Sequence, residues 1–205
     1  MAIVKFNNRK NSISGRSVNR LKRAIDYITD SNKTCDDLVG GSGVSKDNAF
    51  NRMNVVKEYY NKCGGREYIH FVVSFKGQHD ADVLYFFAEK VAELYLGFQV
   101  LFAVHLNTAN NHIHFVVNSV NVNDGHKFSQ SRSDLKQLKD RINQIADNYG
   151  LNSDEIIIDE EEGFNFEDED YDYDDAELIE PMVFFETEGL IKPLIPNYEA
   201  DEYYD

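Results

Sequence analysis

Residues 98–121, FQVLFAVHLNTANNHIHFVVNSVN, are two apolar runs joined by a polar turn. Both runs are rich in Val, Ile, Phe and Leu, which favours strands, and Asn-Thr-Ala-Asn-Asn at 107–111 supplies turn residues, so the stretch predicts a hairpin. EYIHFVVSF at 67–75 predicts a further strand, and residues 3–6 a short one. Helical spacing recurs four times. From Ser17, a plausible N-cap, Val18, Leu21, Ile25 and Ile28 form one stripe that stops at Asp30-Ser31-Asn32. Residues 47–62 form a second amphipathic pattern, closed by Gly64 and Gly65. Residues 82–96 form a third, with Phe86, Phe87, Val91, Leu94 and Tyr95 assigned to the core, and residues 133–149 a fourth. Gly40–Gly43 and Asp124-Gly125 read as turns, and 127–129 as a short strand. This order predicts an α+β fold with a central, largely antiparallel sheet and helices on one face, the other face being left for a site.

Charge divides the chain in two. Residues 1–151 hold 20 Lys and Arg against 15 Asp and Glu, a net of +5, whereas residues 152–205 hold one Lys against 21 acids, a net of −20. The expected organisation is therefore a domain over 1–151 and an acidic tail over 152–205. The tail run DEEEGFNFEDEDYDYDD has too little apolar surface to fold alone and would compete with nucleic acid for the basic part. Cys35 and Cys63 show no ligand spacing and fit a reducing cytosol. The first residues lack an apolar signal core and no window approaches a membrane span, so a cytoplasmic protein without membrane partners is expected.

The candidate chemistry lies in the hairpin. Side chains alternate along a strand, so His112 and His114 share a face, and an even-length loop brings His105 opposite one of them. Three neutral imidazoles with open positions make a catalytic rather than a closed metal site. On the preceding strand His70 and Ser74 also share a face. Arg16, Arg20, Lys22, Arg23 and Lys33 surround Tyr27 in a segment with few acids, which suits phosphate binding.

Three local stretches, in this order, resemble the motifs of the HUH-type relaxases, the nickases that start plasmid mobilisation, in their MobP-like branch. AIDYITDSNKT around Tyr27 resembles the nucleophile motif, YIHFVVSF the second motif with its His and Ser-Phe, and HLNTANNHIHFVVN the three-histidine motif. The resemblance covers roughly the first 150 residues and implies a relaxase palm. It implies that His105, His112 and His114 hold a divalent cation, that Tyr27 is the nucleophile, and that Ser74 helps hold single-stranded DNA. It also implies cleavage at an origin of transfer through a 5′-phosphotyrosine, with accessory mobilisation or coupling proteins as partners. The family's usual ions are Mg²⁺ or Mn²⁺, while imidazole softness also suits Zn²⁺, Ni²⁺ or Co²⁺. The two acids of the family's turn are replaced by Asn107 and Ala109, which makes His70 a candidate substitute base. Tyr59 and Tyr60 are rival nucleophiles that lack the surrounding motif. Two alternative readings are a rolling-circle replication initiator with the same chemistry and a catalytically weakened module that binds DNA or a partner.

Overall fold

The computed structural model describes residues 2–7 and 20–151; Arg16, Ser17 and the acidic segment from 152 onward lie outside them. The elements are β1 (Ala2–Asn7), α1 (Arg20–Ile28), β2 (Val39–Ser42), α2 (Ala49–Tyr59), β3 (Tyr68–Phe75), α3 (Ala81–Ala92), β4 (Val100–His105), β5 (His112–Asn118) and α4 (Arg132–Asn148). The strands form one antiparallel sheet in the order β1-β3-β5-β4-β2. The α+β class and the antiparallel sheet match the expectation from the sequence.

Strand alternation gives the sheet two different faces. One face presents Phe71, Val73, Phe75, Phe102, Phe115 and Val117, which pack under Leu84, Phe87 and Val91 of α3 and Leu138 and Ile142 of α4. Phe71 and Phe115 stack with centroids 4.6 Å apart. Both helices start on side-chain caps. Asp80 accepts from the amides of Asp82 and Val83 at the head of α3, and Ser131 with Asp134 forms a capping box at the head of α4. Phe86 departs from the sequence assignment: it is exposed, because one residue's turn of the helix carries it off the Leu84–Phe87–Ala88–Val91 stripe.

Helices also occupy the second face, where a sheet with helices on one side only was expected. That face carries Leu101, Ala103 and Val116 at one end, and these apolar side chains need a cover. Leu21, Ile25 and Ile28 of α1 and Ala49 and Met53 of α2 provide it. The opposite end of the same face carries the histidines, so α1 packs beside the site and bounds it.

Strand β2 falls where the sequence suggested only a turn, and the close approach of neighbouring groups explains its glycines. A Cβ on Gly40 would meet the Phe102 ring at 2.3 Å, and one on Gly41 would meet the carbonyl oxygens of Val100 and Val44 at 2.6 and 2.7 Å. The first obstacle is a side chain; the second is backbone, which yields less. Gly41→Ala is expected to destabilise the protein by ~1–3 kcal/mol, the usual range for overpacking. A chemical denaturation midpoint equal to that of wild type would refute this packing.

Candidate active site

The hairpin of β4 and β5 sets His105 directly across from His112, with His114 opposite Ala103 on the same face. The three rings lie with centroids 4.5–5.1 Å apart, and one nitrogen from each lies within 4.8 Å of the others. His105 and His114 are each 1% exposed, and His112 is half-buried. Burial pushes all three away from the charged form: His105 falls to about 4, His114 well below the ordinary histidine value, and His112 is lowered too. At neutral pH the cluster therefore consists of neutral imidazoles, the form that ligates metal.

Hydrogen bonds show which nitrogen of each ring is free. The ring Nε2 of His105 lies 2.8 Å from the carbonyl oxygen of Ile28. A carbonyl only accepts, so Nε2 carries the proton and Nδ1 keeps its lone pair. Ile28 is the last residue of α1, so its carbonyl has no partner within the helix. His112 Nδ1 lies 3.2 Å from the Asn110 carbonyl, which fixes its proton on Nδ1 and frees Nε2. Thr108 Oγ1, which donates to the same carbonyl at 2.6 Å, lies 3.3 Å from that ring nitrogen. For His114, Nδ1 lies 3.0 Å from His70 Nε2, while Nε2 is buried with no hydrogen-bond partner. A buried polar atom without a partner costs on the order of 1–3 kcal/mol. A cation held by the three histidines would remove that cost, so the donor set fits a divalent metal.

The turn between these strands is fastened to the β3–α3 loop. Gln78 Nε2 donates to the carbonyls of Thr108 and Ala109, at 2.7 and 3.1 Å, and the Gly77 amide donates to Asn110 Oδ1 at 2.9 Å. Asn111, fully buried, accepts from the His79 amide and donates to Gln78 Oε1. The turn is thus held by a neutral polar clasp, to which the side chains of Asn107 and Ala109 do not contribute. The partners found for the three rings are two backbone carbonyls, the Thr108 hydroxyl and a fourth imidazole.

Tyr27, near the end of α1, is half-buried against this cluster. Its ring lies 5.4 Å from His114, edge-on, and 6.3 Å from His105. Burial and, second, the Asp30 carboxylate raise its pKa above the usual phenol value, so an unaided Tyr27 is protonated at neutral pH. Lys33 Nζ sits 3.5 Å over the Tyr27 ring and 3.6 Å from Asp30. The ammonium is thus placed beside the phenol and close enough to the three histidines to disfavour their charged forms.

The structure brings together Tyr27, Lys33, His70, His105, His112 and His114, and Ser74 joins them on β3 opposite His112. The other basic residues divide by helical geometry. Arg20, Arg23 and Tyr27 follow one another at intervals of three and four on one side of α1, whereas Lys22 points to the far side and pairs with Asp26 at 3.0 Å. The rival tyrosines are engaged elsewhere: Tyr59 is exposed on α2, and the Tyr60 hydroxyl donates to the Val122 carbonyl at 3.0 Å. Reading the sequence missed the Ile28 carbonyl, the Thr108–Asn110 support of His112 and the position of Lys33 over the ring. A free carbonyl at a helix end carries no residue-specific signal; the Asn-rich turn did carry one.

Among the described residues, no helix is long and apolar enough to cross a membrane. A family model described as "Relaxase: MobA/VirD2-like, nuclease domain" matches residues 27–151, and no curated protein matches the chain significantly.

Proposed function

Since the chain belongs to the MobA/VirD2-like relaxase nuclease family, we propose that it is a metal-dependent single-strand DNA nickase that cuts at an origin of transfer through a 5′-phosphotyrosine. The observation that carries this reading is the seating of Tyr27 edge-on against His114, beside three neutral histidines, two buried and one half-buried, that each bring a nitrogen within 4.8 Å of the others. No other tyrosine of the described residues combines that neighbourhood with the nucleophile motif.

His105, His112 and His114 would hold the cation. Once bound, it would supply positive charge for the scissile phosphate and for the charge gained in the transition state. Mn²⁺ or Mg²⁺ are the first candidates, and the all-nitrogen donor set also admits softer divalent ions. Tyr27 Oη attacks phosphorus, and the bond from phosphorus to the 3′ oxygen breaks. The phenol gives up its proton, the departing 3′ oxygen gains one, and one phosphodiester replaces another. The bond energy is kept, so the strand can be rejoined. Lys33 is suited to hold a phosphate oxygen and to favour the phenolate, while Arg20 and Arg23 extend a basic track along α1. Ser74, next to His112, is assigned to positioning the strand near the nick. Single-stranded DNA is the substrate, and accessory mobilisation proteins are the expected partners.

The test is to incubate the full chain with single-stranded DNA spanning a candidate origin and Mn²⁺, then resolve the products on a denaturing gel. A covalent protein–DNA band with a free 3′ hydroxyl on the released strand is expected. DNA binding without cleavage across such origins would replace the nickase by a binding module.

A further inference from the structure

His70 is almost fully buried on β3, and its ring stacks on His114 with centroids 5.1 Å apart and planes inclined by 28°. The two residues are diagonal neighbours in the register, since His114 pairs with Val72 and His70 with Val116, a spacing that long side chains bridge. Their nitrogens, His70 Nε2 and His114 Nδ1, share one hydrogen bond of 3.0 Å. Two neutral rings place a single proton in that bond, and its owner decides what His114 offers to the site. If His70 donates, the His114 proton sits on Nε2, buried where no acceptor meets it and blocking coordination. If His114 donates, Nε2 carries a lone pair and is the one nitrogen of that ring left to take a ligand.

We propose that His70 is a positioning residue: it accepts the Nδ1 proton of His114 and so holds the His114 Nε2 lone pair toward the cation. The inference rests on the metal-dependent reading above and gives His70 a role other than that of the substitute base. Its Nε2 is already committed to His114. Ligating histidines commonly rest on a carboxylate or a backbone carbonyl. Here the other two rings have carbonyls and the third has an imidazole, which orients without adding negative charge. The bound cation would thus keep its full charge for phosphate.

The experiment compares the full-length wild type with His70→Leu, which has no acceptor, and His70→Gln, which retains one. Mn²⁺ affinity is measured by calorimetry, and adduct formation is followed from sub-saturating to saturating Mn²⁺. H70L is expected to bind Mn²⁺ ~10–100-fold more weakly, the range seen for loss of such supports, and H70Q to recover most of the affinity. The adduct rate of H70L is expected to fall at sub-saturating Mn²⁺ and to recover as Mn²⁺ is raised, a rescue that loss of a base would not show. Nitrogen-15 NMR of histidines in the metal-free wild type should find His114 protonated at Nδ1, a readout independent of how the variants fold. Wild-type Mn²⁺ affinity in folded H70L, or an Nε2 proton on His114, would overturn the proposal. So would unchanged affinity combined with a lost adduct rate in both variants, which marks a base. A wild type that binds Mn²⁺ yet forms no adduct would instead sink the nickase reading and leave this inference standing.

Discussion

Tyr27→Phe is expected to abolish the covalent DNA adduct while leaving the fold and DNA binding in place. The substitution removes one hydroxyl and keeps the ring, so the edge-on contact with His114 and the Lys33 ammonium above the ring are both retained. The loss in stability should be below about 1 kcal/mol, because the ring packing is kept and a single hydrogen bond is worth about that much net. The chemistry, by contrast, loses its nucleophile. Residual cleavage would need water, and a drop of ~10³-fold or more corresponds to at least ~4 kcal/mol of barrier at 1.36 kcal/mol per decade. Adduct formation, thermal melting and single-stranded DNA affinity should be measured on the same preparation. An undiminished adduct in Y27F, or its loss in Tyr59→Phe or Tyr60→Phe instead, ends the assignment.

The second large effect concerns the metal. A chelator is expected to stop cleavage entirely and to lower the melting temperature to that of the metal-free protein. An ion that binds only the folded state stabilises it by RT ln(1 + [L]/Kd), about 2.7 kcal/mol at one hundred times Kd. His112→Ala is the cleaner variant for this test. Its ring is half-buried and rests on the Asn110 carbonyl, so truncation leaves little cavity, whereas His114→Ala would strip His70 of its partner. H112A should therefore melt near the metal-free wild type, show no upward shift on adding Mn²⁺, and form no adduct. Cleavage and melting that ignore both chelator and H112A would remove the cation from the reaction.

The parts of the site that could be read from the sequence are those set by local periodicity. Alternation along β5 put His112 and His114 on one face, and the even-length loop brought His105 across from one of them, which the structure shows to be His112. The stripe of Leu21, Ile25 and Ile28 likewise announced α1 and left Tyr27 at its margin. What escaped depends on neighbours distant in sequence. Strand β2 was hidden by glycines chosen for the proximity of Phe102, Val44 and Val100. The helices on the second face answer to Leu101, Ala103 and Val116, whose lack of cover no single segment reveals. His70 could be placed on the correct face, but that its Nε2 meets His114 rather than a substrate depends on a diagonal step in register.

The end of α1 also links two parts of the proposed site. Adjacent residues there would serve the two halves of the proposed chemistry: Tyr27 would supply the hydroxyl, and the Ile28 carbonyl holds the His105 ring. Helix docking and the geometry of the first ligand are therefore one event. By thermodynamic reciprocity, whatever tightens cation binding through His105 steadies the helix that carries Tyr27 to the same extent. If the cation binds as proposed, the end of α1 would act as a coupling, in which the bound charge and the seating of Tyr27 against His114 steady one another.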